Sequence, residues 1–65
     1  MENLVREKRM ALGMTQDDLS IRLDVSRQTI SSLEKGRYNP SITLAFKLSK
    51  LFQCTIEEIF IYEEE

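Results

Sequence analysis

The sequence predicts an all-α fold, a compact five-helix bundle, and three observations carry that expectation. Helix-start and helix-stop residues recur at short intervals along the chain, and the apolar residues between them repeat at helical spacing. The connections left over are only about three to five residues long, which forces consecutive helices to pack against one another. No internal repeat, low-complexity segment or Gly/Ser linker divides the chain, so residues 1–65 are expected to form one domain.

The first helix is expected over residues 4–12, where Leu4, Val5, Lys8, Arg9, Ala11 and Leu12 share one broad face. Asn3 is its expected N-cap and Gly13 its stop. Thr15 and Asp18 have capping-box spacing, and Asp17 and Asp18 suit the positive end of a helix dipole, so a second helix should cover 16–23. Asp24-Val25-Ser26 interrupts the pattern briefly. Ser26 is a good N-cap for a third helix over 27–35, which Gly36 ends. In the loop Arg37-Tyr38-Asn39-Pro40 the proline biases Asn39 away from helical backbone, and Ser41 caps a fourth helix over 42–52. Leu44, Leu48 and Leu51 recur there at i, i+4 and i+7, the mark of an amphipathic core helix. Thr55 and Glu58 form a second capping box for a short fifth helix over 56–60, which Ile61 and Tyr62 either extend or leave for a brief strand. Cys54 reads as a small buried hydrophobe rather than a reactive thiol, and Glu63, Glu64 and Glu65 as a solvated tail.

Composition narrows the function classes. A chain of 65 residues buries only about 60% of the surface its unfolded form exposes, so it gains from self-association. One cysteine cannot form an internal disulfide, and the absence of histidine removes the usual metal ligand and the commonest general base. Neither a metal, a cofactor nor an enzyme is therefore expected; a nucleophile such as Ser31 has no candidate base. The longest apolar run is four residues, 59–62, and the N-terminal stretch is strongly polar. The expectation is a cytoplasmic protein with no signal peptide, membrane span or membrane partner.

The net charge of -2 argues against a polyanionic partner only when the chain is taken whole. Residues 1–50 hold nine basic and six acidic groups, a balance of +3, whereas residues 51–65 hold five acids and no base. The local field, not the sum, is what a polyanion meets.

The brief turn between the second and third helices has helix-turn-helix geometry, placed at 16–35. On a wheel of about 100° per residue, Ile30 and Leu33 fall on the inner side of the third helix. The outer side holds Gln28, Ser31, Ser32 and Lys35, with Arg27 at its edge in the first turn and no acid among them. Arginine can hold guanine O6 and N7 with two bonds, glutamine can hold adenine N6 and N7, and serine adapts to several edges. Arg27, Gln28, Ser31 and Ser32 are thus the candidate base contacts in double-stranded DNA. Gln16 sits at the N-terminus of the second helix, where free N–H groups favour an anion. With Ser26, Lys35, Arg37, Tyr38 and Asn39 it makes up the candidate phosphate set, Lys35 suiting either role.

The stretch Gln16-Asp17-Asp18-Leu19-Ser20-Ile21-Arg22-Leu23-Asp24-Val25-Ser26-Arg27-Gln28-Thr29-Ile30-Ser31-Ser32-Leu33-Glu34 resembles the helix-turn-helix of the lambda-repressor/Cro-like (XRE-type) transcriptional regulators of bacteria and phages. Leu12 to Gln16 and Glu34 to Ser41 are similar to that family's flanks, and Thr55 to Phe60 to its closing helix, so the likeness covers roughly residues 4–60. It implies a lambda-repressor-like DNA-binding domain, a backbone contact for Gln16, and an ion pair between Arg9 and Glu34 that joins the first and third helices. The family often has glycine where this chain has Asp24 and Gln53. Gln53 would cost up to about 1 kcal/mol if its φ must be positive.

Such domains usually bind two half-sites about 34 Å apart as twofold dimers. The apolar cluster Ile56, Ile59, Phe60, Ile61 and Tyr62 exceeds what a short last helix needs, and is the expected homodimer contact; core closure is the competing use. The expected activity is sequence-specific regulation of transcription, repression more than activation because little is left over to contact polymerase, with association to the nucleoid when bound. The alternative is a protein-interaction module, such as an antitoxin or coactivator-like domain. A groove for a protein partner should be apolar at its centre, which the outer face of the third helix is not.

Overall fold

The computed structural model of the chain describes residues 1–37 and 39–62. Four α-helices follow one another, α1 (Val5–Ala11), α2 (Gln16–Leu23), α3 (Arg27–Glu34) and α4 (Ile42–Phe52), and a 3-10 turn (Ile56–Glu58) comes after them. Each of the last three helices starts where a hydroxyl can accept an orphan N–H. Thr15 Oγ1 accepts from Asp18, Ser26 Oγ from Thr29 and Ser41 Oγ from Leu44. The Thr15–Asp18 box is reciprocal, with N–O distances of 2.9 and 3.0 Å, and Thr55–Glu58 repeats it at the 3-10 turn. Helix ends are set by residues in the left-handed region: Gly13 and Gly36, and also Asp24 at φ 57° and Gln53 at φ 54°.

The core draws on all four α-helices and on the residues that follow the 3-10 turn. Leu19 and Leu23 of α2 meet Ile30 and Leu33 of α3, and Leu44, Ala45 and Leu48 of α4 close over them with Val5, Ile59 and Phe60. Each fully buried aliphatic side chain contributes roughly 1.5–3 kcal/mol relative to exposure. Ser20, buried between α2 and its neighbours, is small enough for close helix approach, and its hydroxyl donates to the Asp17 carbonyl at 2.7 Å.

Four sequence expectations need correction. The broad inner face of α1 is narrower than its apolar residues suggest. Val5 is buried and Lys8 and Arg9 are half-buried, whereas Leu4, Ala11 and Leu12 are exposed, because the short α1 turns one row, Val5 and Arg9, inward. Asn3 does not occupy the cap position, which is Leu4. Its Oδ1 still accepts from the Val5 N–H at 3.1 Å while its Nδ2 donates to the Leu33 carbonyl at 2.8 Å, so it ties the start of α1 to the end of α3.

The expected fifth helix is one 3-10 turn. Beyond it the Ile59 carbonyl accepts from Leu4 N–H at 2.8 Å and Ile61 N–H donates to the Glu2 carbonyl at 2.9 Å, making an isolated antiparallel bridge between Asn3 and Phe60. Backbone groups that a longer helix would use are thereby taken by the N-terminal segment. This also corrects the apolar cluster: Ile59 and Phe60 are core residues, Ile56 packs against them, and only Ile61 and Tyr62 are exposed.

Candidate nucleic-acid interface

Packing of Leu19 and Leu23 against Ile30 and Leu33 fixes the roll of α3 and therefore what it turns outward. Arg27, Gln28 and Lys35 are exposed, and Ser31 and Ser32 are half-buried on the flank. Gln16 from the start of α2 joins Arg27, Gln28 and Ser31 around one shallow groove. Ser26 is committed locally: its hydroxyl accepts the Thr29 N–H at 3.1 Å and shares a hydrogen bond with Thr29 Oγ1 at 2.8 Å. Lys35 stands one residue past the helix, as its C-cap. Arg37 and Asn39 are exposed in the following loop, and Arg37 N–H donates to the Ser32 carbonyl at 3.2 Å. Tyr38 and residues 63–65 lie outside the described residues.

Behind this surface, Glu34 collects three elements. Its Oε2 accepts from Arg9 Nε at 2.7 Å, and its Oε1 accepts from Arg9 Nη2 at 3.3 Å and from Gln16 Nε2 at 3.1 Å. Arg9 Nη1 donates to the Met14 carbonyl at 2.7 Å. The side chains of Arg9 and Glu34 keep only 11% and 5% of their exposure. Hydrogen bonding to Glu34 holds the Arg9 pKa above its ordinary value, against burial, which acts the other way. Gln16 therefore presents to the groove an amide that α3 already holds in place, with its backbone N–H at the helix start.

Two members of this surface escape a reading by single helices. Asp17 Oδ1, from the first turn of α2, lies 3.8 Å from Arg27 Nε, so an acid borders a face that carries none of its own. Arg6, from α1, shares a second groove with Gln16, Ser31 and Lys35. Neither proximity has a signal within one helix, since each crosses between helices.

Among the described residues, no helix is long and apolar enough to cross a membrane. Their polar groups are satisfied as well: no buried side-chain nitrogen or oxygen among them lacks a hydrogen bond.

Residues 5–59 match the family described as "Helix-turn-helix". The chain is 51% identical over 65 residues to an uncharacterized HTH-type transcriptional regulator of Methanocaldococcus jannaschii, covering 100% of this chain and 98% of that protein. It is 43% identical to an uncharacterized HTH-type transcriptional regulator of Bacillus subtilis, again over 100% and 98%. Among solved structures it superimposes on the restriction-modification controller protein C.AhdI from Aeromonas hydrophila with a TM-score of 0.76 at 28% identity, covering 86% of this chain and 85% of that one.

Proposed function

Because the chain belongs to the XRE-type helix-turn-helix family of DNA-binding transcriptional regulators, we propose that it reads a twofold-symmetric operator as a homodimer, with α3 in the major groove, and represses by occupying that site. Residues 1–65 act as one DNA-binding domain in the cytoplasm. Arg27, Gln28, Ser31 and Ser32 read base edges. Gln16, Ser26, Lys35, Arg37, Tyr38 and Asn39 set register on the phosphates.

The observation that carries this reading is the groove formed by Gln16, Arg27, Gln28 and Ser31, which joins a helix N-terminus to the outward face of α3. Its long hydrogen-bonding side chains suit polar base edges and phosphate oxygens; an apolar partner helix would find no anchor there. The Glu34 network supports the reading by fixing Gln16 relative to α3 before any ligand arrives.

With Ile59 and Phe60 committed to the core, the twofold contact rests on the exposed Ile61 and Tyr62 beside the half-buried Ile56. Selection of bound sequences from random DNA at fixed salt tests the whole proposal. It should enrich an inverted repeat with half-sites about one helical turn apart. Enrichment of no sequence would refute it, and enrichment of a single half-site would refute the dimer.

A further inference from the structure

The first turns of α2 and α3 meet where the Asp17 carboxylate faces the Arg27 guanidinium, with Nε and Oδ1 3.8 Å apart and both side chains about two-thirds exposed, at 70% and 68%. A pair this open to water does little for folding. It also works against affinity, since a carboxylate at a surface meant for a polyanion repels phosphate. Yet it touches the one arginine in the first turn of α3, the residue best able to distinguish guanine.

We propose that Asp17 is a specificity-determining residue, a positioning group that orients Arg27 toward guanine. The guanidinium presents its N–H donors along the edges of one plane. An acid on the Nε side occupies one edge and leaves the Nη1 and Nη2 end free, and those two parallel donors match guanine O6 and N7. An arginine without such a partner is drawn to any nearby phosphate, and a phosphate contact carries no sequence information.

Asp17 is suited to the task. It lies in the first turn of α2, where the helix dipole favours an acid, and its own carbonyl is engaged by Ser20 Oγ. Docking on DNA expels water from the pair and strengthens the attraction that is weak in the free protein.

The inference rests on the reading of Arg27 as a base contact, and the experiment separates the two. Wild type, Arg27→Ala, Asp17→Ala and Asp17→Asn are each run through selection from random DNA, with thermal unfolding to confirm that each variant is folded. Arg27→Ala identifies the base pair it reads by loss of guanine preference there.

At that same pair Asp17→Ala should lower the preference about tenfold, within the range of a lost bidentate contact, while its affinity for random DNA rises. Asp17→Asn, which keeps the shape but removes the charge on which a 3.8 Å contact depends, should lower the preference as well; a preference retained in full by Asp17→Asn would overturn the proposal. Stronger binding by Asp17→Ala to every sequence with the preference unchanged would overturn it, because Asp17 would then act by repulsion alone. So would a stability loss with base preference intact, which would leave Asp17 a partner of the helix dipole only. If Arg27→Ala alters no single pair, the base-contact reading falls and takes this proposal with it.

Discussion

Gln16 Nε2 donates to Glu34 Oε1 at 3.1 Å, on the carboxylate whose other oxygen holds Arg9 Nε at 2.7 Å. One buried acid near the end of α3 thus fixes α1 by its charge and the start of α2 by a neutral hydrogen bond. Glu34→Ala should strand the Arg9 cation and cost about 3–5 kcal/mol of stability. Replacing both partners, Arg9→Met with Glu34→Leu, should recover most of that loss. Urea denaturation measures both. A double variant as unstable as the single one would show that the pair's charge is essential to the fold rather than replaceable by apolar packing.

Arg27→Ala and Gln28→Ala should each cost about 1–3 kcal/mol on the selected operator and relax base preference at one position. Arg37→Ala should instead weaken cognate and random DNA alike and reduce the salt slope by about one. Titrations at several salt concentrations separate the two behaviours. Equal losses on cognate and random DNA for Arg27→Ala would remove it from the base-reading set.

Gln53 and Asp24 end α4 and α2 in a conformation that favours glycine, at φ 54° and 57°. Both are exposed, so little packing is lost by trimming them. Gln53→Gly should stabilise the domain by about 0.5–1 kcal/mol, the relief of left-handed strain exceeding the entropy that glycine adds to the unfolded chain. Asp24→Gly should gain less, because aspartate tolerates that region better. Chemical denaturation with an unchanged slope and a higher midpoint is the expected result.

The two capping boxes predict an acid limb to stability. The Thr15 and Thr55 backbone N–H groups, with their hydroxyls, hold the Asp18 and Glu58 carboxyls below the usual carboxylate range. A folded pKa depressed in this way adds stability that is present above the unfolded pKa and lost as pH falls through the folded one. Stability should therefore be level at neutral pH and decline once the pH drops below about 4, the ordinary carboxylate region. Asp18→Asn with Glu58→Gln should flatten that decline in thermal unfolding measured across the acid range.

Tyr62→Glu should shift a wild-type dimer to monomer in sedimentation without unfolding it, since Tyr62 is 77% exposed. The same charge at Phe60 would enter the core and unfold the chain, so Phe60 is the wrong place to probe association. A dimer unaffected by Tyr62→Glu would move the twofold contact to another surface.

What could be read from the sequence follows how local each signal is. Thr15, Ser26, Ser41 and Thr55 announce helix starts because a cap acts within four residues of itself, and all four caps are present. The outward face of α3 was equally legible, since Ile30 and Leu33 define its inner side by spacing alone. Harder were features that join distant parts of the chain. Ile59 to Tyr62 form a continuous apolar run without periodicity, so their division into two core and two surface residues depends on the pairing with Glu2 and Leu4. Asp17 and Arg27 sit on different helices, and only the angle between α2 and α3 brings them together.

The bridge of Asn3 with Phe60 has a kinetic consequence. Most of the fold is built from neighbours in sequence, which favours rapid assembly, whereas this clasp joins the two ends of the described chain and must await closure of nearly its whole length. It should therefore form late and open before the α2–α3 core. Because Asn3 Nδ2 also holds the Leu33 carbonyl, each opening loosens the final turn of α3, and amide exchange at Leu4 and Ile61 should run ahead of exchange in the α2–α3 core.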